Sequence, residues 1–325
     1  MKIRVAVVYG GRSGEHEISL RSADTVMKSL DPERYQIVPY FIDKEGRWEP
    51  QPIAPEPNAN PEIDVVFPVL HGTFGEDGTI QGLFEMAGLP YVGCGVLASS
   101  LAMDKDMAKR VLAGHGVLTA EYVTIFRENL DPSEAIKNLT FPMFVKPANL
   151  GSSLGISKVK NEAELRVALI DAAQYDRKVI VERAIIGKEL ETALLGIDNP
   201  EATIPCQIIP SREFYDYEDK YLLDKAKIVL PAPIGDEKTA ALRQIAVKAY
   251  QALGCEGMAR VDFLLEEATG HLYLNEINTI PGFTSISMYP KMWENMGLPI
   301  GQLVDRLIEL AMQRDRIKKA TKFTK

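Results

Sequence analysis

Two runs near the C-terminus, MARVDFLLE (residues 258–266) and HLYLNEIN (residues 271–278), constrain the chain most. Both read as β-strands, and each sets polar groups two positions apart: Arg260 and Asp262 in the first, Glu276 and Asn278 in the second. Side chains two apart in a strand share a face. If the strands pair as a hairpin across EEATGH, two carboxylates, an amide and a guanidinium converge on one spot. Leu272 and Leu274 precede Glu276 and Asn278 in the same alternation, so all four are expected on one face. Oxygen donors from Asp, Glu and Asn, with no Cys or His, form a hard ligand set suited to Mg²⁺ held with substrate phosphates. On these residues alone, a solvated face with a cross-strand Arg–carboxylate pair explains the pattern equally well.

The rest of the chain is long enough to enclose such a site. Its 325 residues, 46% hydrophobic, favour two or three domains. The opening IRVAVVYGGRSGEHEISLRSADTVMKSL reads as strand, Gly-rich turn and helix; QIVPYFID follows as a second strand and DVVFPVL as a third. A helix around IQGLFEMAG and a short strand LPYVG complete an N-terminal α/β domain over residues 1–93. A long helix over residues 97–113 then opens a central unit, residues 94–183, with strands YVTI, PMFVKPA, ISKVK and KVIVERA and a helix over residues 162–175. The last unit, residues 184–325, has strands ELETALLGI and ATIPCQII, an aromatic-rich loop, a helix over residues 238–253, the polar hairpin, and an amphipathic helix over residues 303–318. Residues 317–325 read as a fraying tail. The fold class is α/β, in part α+β.

Composition removes several functions. A net charge of −8, from 37 basic against 45 acidic residues, argues against nucleic acid as a partner. Apolar runs such as IRVAVVY are too short to span a bilayer, and the first strand follows Met1 without a signal-peptide pattern, so a cytoplasmic location with no membrane partner is expected. Cys94, Cys206 and Cys255 are too scattered for a disulfide framework or a CxxC metal site, and read as buried apolar residues. Glycines at positions 10, 11 and 14 do not make the GxGxxG of a dehydrogenase.

The middle of the chain offers phosphate-binding groups. Lys146 ends the apolar strand FPMFVK, where an ammonium either reaches solvent or meets an anion. Lys105 lies in MDKDMAKR, where a solvated helix surface is the plain alternative. The loop GSSLG, with Ser152 and Ser153 between Gly151 and Gly155, can turn backbone N–H groups toward phosphate oxygens or be a simple flexible turn. No Walker A sequence is present.

Taken together, GGRSGEHEISL, LHGTFGEDGTIQG, MDKDMAK, VKPANLGSSLGIS, FYDYEDKY, ARVDF and NEINTIPGFTSIS resemble the ATP-grasp enzymes, and within them the D-alanine:D-alanine ligases, over essentially the whole chain. The resemblance implies a three-domain architecture with an N-terminal Rossmann-like domain and ATP bound between the second and third units. In that family ATP phosphorylates one D-alanine, the amine of a second attacks the acyl phosphate, and the dipeptide serves peptidoglycan precursor synthesis. Asp262, Glu276 and Asn278 would hold two Mg²⁺ (or Mn²⁺) ions, with Glu276 bridging; a monovalent cation is left open. Lys105, Lys146, Ser153 and Lys220 would contact phosphates. Glu182 and Glu189 would hold adenine and ribose, with backbone groups at Ala184 and Ile185 on the adenine edge. Arg260 and the Gly282 N–H would stabilise the oxyanion of the tetrahedral intermediate.

Glu15 would fix the first D-alanine's ammonium and bond toward Ser152, which meets Tyr221; His71 would lie near the same substrate. Ser287 and Met288, otherwise plain loop residues, would hold the second substrate's carboxylate. The loop FYDYEDKY would close as a lid that excludes water. Its Lys220 and Tyr221 favour D-alanine over D-lactate as acceptor. The family also implies a homodimer. Two alternatives share these motifs: another ATP-grasp carboxylate–amine ligase, and a nucleotide-binding regulatory protein on the same fold.

Overall fold

The computed structural model describes residues 2–151, 154–210 and 227–322. Its first sheet has the order β3-β2-β1-β4, from β1 (Ile3–Gly10), β2 (Tyr35–Ile42), β3 (Trp48–Glu49) and β4 (Val65–Val69). β1 runs parallel to β2 and to β4. Parallel neighbours need a crossover, and α1 (His16–Ser29) supplies the first one. β1 and β4 are apolar on both faces because both are covered. Val5, Val7 and Phe67 pack toward α1, and Ala6, Val8 and Val66 pack with Tyr40 and Phe84 of α2 (Thr79–Ala87). The expected strand LPYVG is reduced to one bridge, Val66 to Tyr91.

The single helix expected over residues 97–113 is two, α3 (Val96–Met103) and α4 (Lys105–Gly114). Asp104 breaks it: its backbone is extended, at φ −80° and ψ 97°, and its carboxylate accepts from Asp106 N and Met107 N. An N-cap Asp satisfies amide donors that a continuous helix would have paired itself. Lys178 Nζ then holds that carboxylate at 2.7 and 2.6 Å.

The second sheet, antiparallel in the order β5-β8-β6-β7, comprises β5 (Tyr122–Phe126), β6 (Met143–Pro147), β7 (Ser157–Val159) and β8 (Lys178–Arg183). α5 (Ser133–Asn138) and α6 (Glu162–Tyr175) lie on it, with Leu165 and Leu169 of α6 buried against Met143, Val145 and Val181.

The third sheet carries the polar hairpin. Its order is β12-β11-β9-β13-β14, with β10 (Glu201–Ala202) on β9 (Gly187–Gly196), then β11 (Cys206–Ile209), β12 (Lys227–Val229), β13 (Gly257–Glu266) and β14 (Leu272–Asn278). The expected strand ATIPCQII is therefore divided in two. One face packs under α7 (Asp236–Ala252), where Leu242 and Ala246 meet Leu194, Val261 and Phe263. α8 (Met288–Asn295) and α9 (Ile300–Lys319) follow. α9 returns to the start of the chain, burying Leu303, Val304 and Leu307 in one core with Val5 and Phe67. The tail expected to fray from Ile317 stays helical to Lys319. The three cysteines are buried and unpaired, as their scatter implied.

Candidate active site

β13 and β14 form the expected antiparallel pair, with Arg260 opposite Asn278 and Asp262 opposite Glu276. The register then slips: Phe263 pairs with Leu274, which leaves Asn275 as the extra residue of a β-bulge. The bulge corrects the expectation that Leu272 and Leu274 share a face with Glu276 and Asn278. Leu272, Leu274 and Ile277 all lie in the core under α7, so the apolar phase moves from even to odd positions at Asn275. Bulges re-aim side chains in this way. Here Asn275 and Glu276 both line a cleft of about 390 Å³ between the second and third sheets.

Arg260 is committed to its neighbours on this face. Nε and Nη2 each lie 2.7 Å from an oxygen of Asp262, and Glu191 of β9 is 3.4 Å away. Burial works against the guanidinium's charge, but Asp262 and Glu191 outweigh it and raise its pKa. Glu191 was missed by sequence reasoning, although it shares a strand face with Glu189 two positions before it. Asn278 Nδ2 donates to Asp262 Oδ2 at 3.0 Å, an orientation that turns its amide oxygen away from the carboxylate. Among the described residues no group of three or more His, Cys, Asp or Glu side chains is disposed to hold a metal. With the Asn278 amide turned over, its oxygen would join the two facing carboxylates in a hard donor set that fits a Mg²⁺ ion taking its remaining ligands from phosphate and water.

Lysines line the opposite wall. The Lys105 N–H docks on Ala148 O at 3.0 Å and its Nζ donates to Leu150 O at 2.6 Å, tying the start of α4 to the loop after β6. Lys146 Nζ lies 3.4 Å from Asn275 Oδ1 and forms an ion pair with Glu182. The other Glu182 oxygen meets Lys109 Nζ at 3.0 Å. Burial alone would raise the Glu182 carboxyl, but the two lysines overcome it and hold it at about 2. The Glu182 carboxylate, expected at the nucleotide's base and sugar, is thus engaged by lysines. Lys109 went unassigned even though it closes the quoted motif MDKDMAK.

The segment between β8 and β9 is the adenine candidate. Ala184 and Ile185 are buried, and Ile185, Ile186 and Glu189 line the cleft. The Ala184 N–H is taken by Pro142 O at 3.1 Å, and Ile186 O accepts from Glu267 N at 3.0 Å. Of the two expected hinge residues, Ile185 is the one in the cleft lining. Gly187 admits no side chain, since a Cβ there would sit 1.9 Å from Leu265 O.

Glu15 is the N-cap residue of α1 and is buried. A Cβ built on Gly72 would stand 2.5 Å from its Oε2, and one on Gly151 3.4 Å, so the carboxylate lies between Gly72 and Gly151. His71 is buried with both ring nitrogens on protein atoms: Nδ1 is 3.0 Å from Ile280 O and Nε2 is 3.1 Å from Ser22 Oγ. Burial, chiefly, lowers its pKa. Glu76 lies beside it, with its carboxyl raised by burial and by Glu15.

Ser287 and Met288 are not plain loop: Ser287 is the N-cap residue of α8 and Met288 its first residue. Ser287 Oγ accepts from Thr284 N at 3.0 Å and lies 2.8 Å from Thr284 Oγ1. First-turn amides such as that of Met288 have no intrahelical acceptor, and a helix N-terminus favours a carboxylate. Gly282 lies against Ser287, where a Cβ would come within 2.8 Å of Oγ. Ser152, Ser153, Lys220 and Tyr221 lie outside the described residues.

Comparison with known proteins follows the same lines. A family model described as D-ala D-ala ligase N-terminus matches residues 4–61 and 50–94, and one described as D-ala D-ala ligase C-terminus matches residues 111–309. The D-alanine–D-alanine ligase of Solibacter usitatus is 60% identical over 325 residues, covering 100% of both chains. That of Natranaerobius thermophilus is 46% identical, covering 98% of this chain and 97% of its own. Among solved structures, VanG D-Ala:D-Ser ligase from Enterococcus faecalis aligns with a TM-score of 0.88 at 38% identity, over 96% of this chain and 100% of the other. The D-alanine-D-alanine ligase from Coxiella burnetii aligns with a TM-score of 0.88 at 36% identity, over 98% and 96%.

Proposed function

The chain belongs to the D-alanine–D-alanine ligase family, and from that premise we propose that its cleft joins two D-alanines at the expense of ATP. A carboxylate oxygen of the first D-alanine attacks the γ-phosphorus of ATP, releasing ADP. The amine of the second then attacks the acyl carbon, and phosphate leaves with the oxygen it received. The observation that carries this reading is the alignment across the β13–β14 hairpin, Arg260 opposite Asn278 and Asp262 opposite Glu276, with Glu276 lining the cleft that Lys105 and Lys146 also line.

ATP lies between the second and third sheets, its base against Ile185 and Ile186 and its ribose toward Glu189. Lys105 and Lys146 contact its phosphates. Asp262, Glu276 and Asn278 would hold two Mg²⁺ ions, whose chemistry is to neutralise phosphate charge. Arg260 keeps N–H groups beyond those on Asp262, since a guanidinium has five, and with the Gly282 N–H it receives the oxyanion. Glu15 takes the ammonium of the first D-alanine. The Met288 N–H and the Ser287 hydroxyl take the carboxylate of the second; Thr284 can donate its hydroxyl to Ser287, which frees the Ser287 proton. Ser152, Ser153, Lys220 and Tyr221 complete the phosphate and lid contacts, and a homodimer is the expected assembly. Among the described residues no helix is long and apolar enough to cross a membrane.

Phosphate release with ATP, Mg²⁺ and D-alanine, with products identified by mass, tests the proposal. D-alanyl-D-alanine formed in step with phosphate supports it. Release only when D-serine or D-lactate accompanies D-alanine would replace the acceptor and keep the activation step. Silence with every pair would favour a nucleotide-binding protein on this fold.

A further inference from the structure

One turn of the third unit is held by three side chains from the first. Glu76 accepts from Gly72 N through Oε2 at 2.8 Å and from Ile280 N through Oε1 at 3.1 Å, reaching a residue 204 positions later in the chain. His71 Nδ1 meets Ile280 O, and Ser22 Oγ both contacts His71 Nε2 and accepts from Phe283 N at 3.2 Å. Burial favours the neutral imidazole, and in that form His71 donates from Nδ1 to Ile280 O, while Ser22 donates its hydroxyl proton to Nε2 and receives the Phe283 N–H on a lone pair. Both backbone groups of Ile280 and the N–H of Phe283 are fixed in this way, and the residue they bracket with Pro281 is Gly282.

We propose that Glu76, with His71 and Ser22, is a positioning clamp that sets the Gly282 N–H over the reacting carbonyl; the inference rests on the ligase reading above. An oxyanion donor accelerates a reaction only when it is aimed before the charge develops. Gly282 has no side chain with which to fix its own orientation, so its neighbours must impose it. The same loop also fixes the substrate anchor, because Gly72, held by Glu76, lies against Glu15. The clamp thus joins the ammonium site of the first D-alanine and the oxyanion donor into one rigid unit, built from two parts of the chain that no covalent proximity links. His71 acts through the turn. Its two nitrogens are already engaged, which is why the substrate contact expected from sequence gives way to a positioning role.

Two mild substitutions test it. Glu76→Gln keeps the shape but replaces one acceptor with a donor, facing either Gly72 N or Ile280 N. Ser22→Ala removes the link between His71 and Phe283 without adding an atom. Each is expected to lower kcat by about ten- to a hundredfold, because a small misplacement of a catalytic group costs that much, while KM for ATP stays within about twofold of wild type. Hydrogen exchange at the Ile280 and Phe283 amides should quicken in both variants, with the β13 and β14 amides unchanged. Ser22→Thr, which restores the hydroxyl, should recover the slow exchange. Unchanged kcat in both variants, or a lower kcat without faster exchange at those two amides, would overturn the clamp. A wild-type protein inactive on D-alanine would count against the ligase reading instead, and the exchange comparison would then decide the clamp alone. If Glu76→Gln folds poorly, Ser22→Ala and Ser22→Thr decide the matter by the same two readouts.

Discussion

Lys109 and Glu182 meet at 3.0 Å with 4% and 5% of their side chains exposed, where Glu182 lines the cleft between the second and third sheets. With Lys146 on the other oxygen, the trio carries one net positive charge toward the cleft. The carboxylate gives buried Lys109 and partly buried Lys146 their shared counter-charge. Glu182→Gln leaves both without it and should cost about 3–5 kcal/mol of stability, read as a lower midpoint in denaturant unfolding.

The same carboxylate predicts a pH dependence. Its folded pKa, about 2, lies below the ordinary 4.5, so its contribution is complete above pH 4.5 and is lost as pH falls toward 2. Between those limits wild type should lose stability faster than Glu182→Gln, and the two unfolding curves should converge at the acid end. Parallel curves across that window would show that the pair does not control the carboxyl.

Glu276→Gln is expected to lower turnover at least about a hundredfold by weakening metal binding at the hairpin, with the circular dichroism spectrum unchanged. Chelation of divalent ions should abolish wild-type activity, and Mg²⁺ or Mn²⁺ should restore it. Near-normal turnover in Glu276→Gln would remove the metal role from this residue.

The site was legible where chemistry and spacing coincided. Arg260 and Asp262 fall on one strand, Glu276 and Asn278 on its partner, and they face one another across the hairpin as expected. What stayed hidden depended on geometry that residue types do not carry. Asn275 gave no local sign of a bulge, yet it decides which face Leu274 and Glu276 occupy. Asp104 looked like one more helical residue until its capping role divided the segment in two. Glu76 and Lys109 sat inside recognised motifs without a role, because each acts on a partner distant in sequence, Ile280 and Glu182 respectively.

Arg260→Lys keeps a positive charge but loses the planar fork that binds Asp262 through two nitrogens. A fall in kcat of about a hundred- to a thousandfold is expected, the loss typical of an oxyanion donor, with KM for ATP little changed. Steady-state kinetics on both substrates would check it; a defect confined to KM for ATP would contradict the oxyanion role.

Gly282→Ala brings a Cβ to within 2.8 Å of Ser287 Oγ and must displace that hydroxyl from Thr284. The acceptor D-alanine should then bind about ten- to a hundredfold more weakly, the worth of one hydrogen bond to a charged group. Initial rates at varied D-alanine would measure this, and an unchanged acceptor KM would remove Ser287 from the acceptor site.

If the cleft activates a carboxylate by phosphorylating it, an oxygen must pass from D-alanine to the released phosphate, and isotope transfer reads that passage. D-alanine labelled with ¹⁸O in its carboxylate would be turned over with unlabelled ATP and Mg²⁺, and the released phosphate examined by mass. Phosphate carrying one labelled oxygen per dipeptide formed is the predicted result. Unlabelled phosphate alongside dipeptide would mean that the bond forms by another route, and the assignment of Arg260 and Gly282 to the tetrahedral intermediate formed from an acyl phosphate would fall with it.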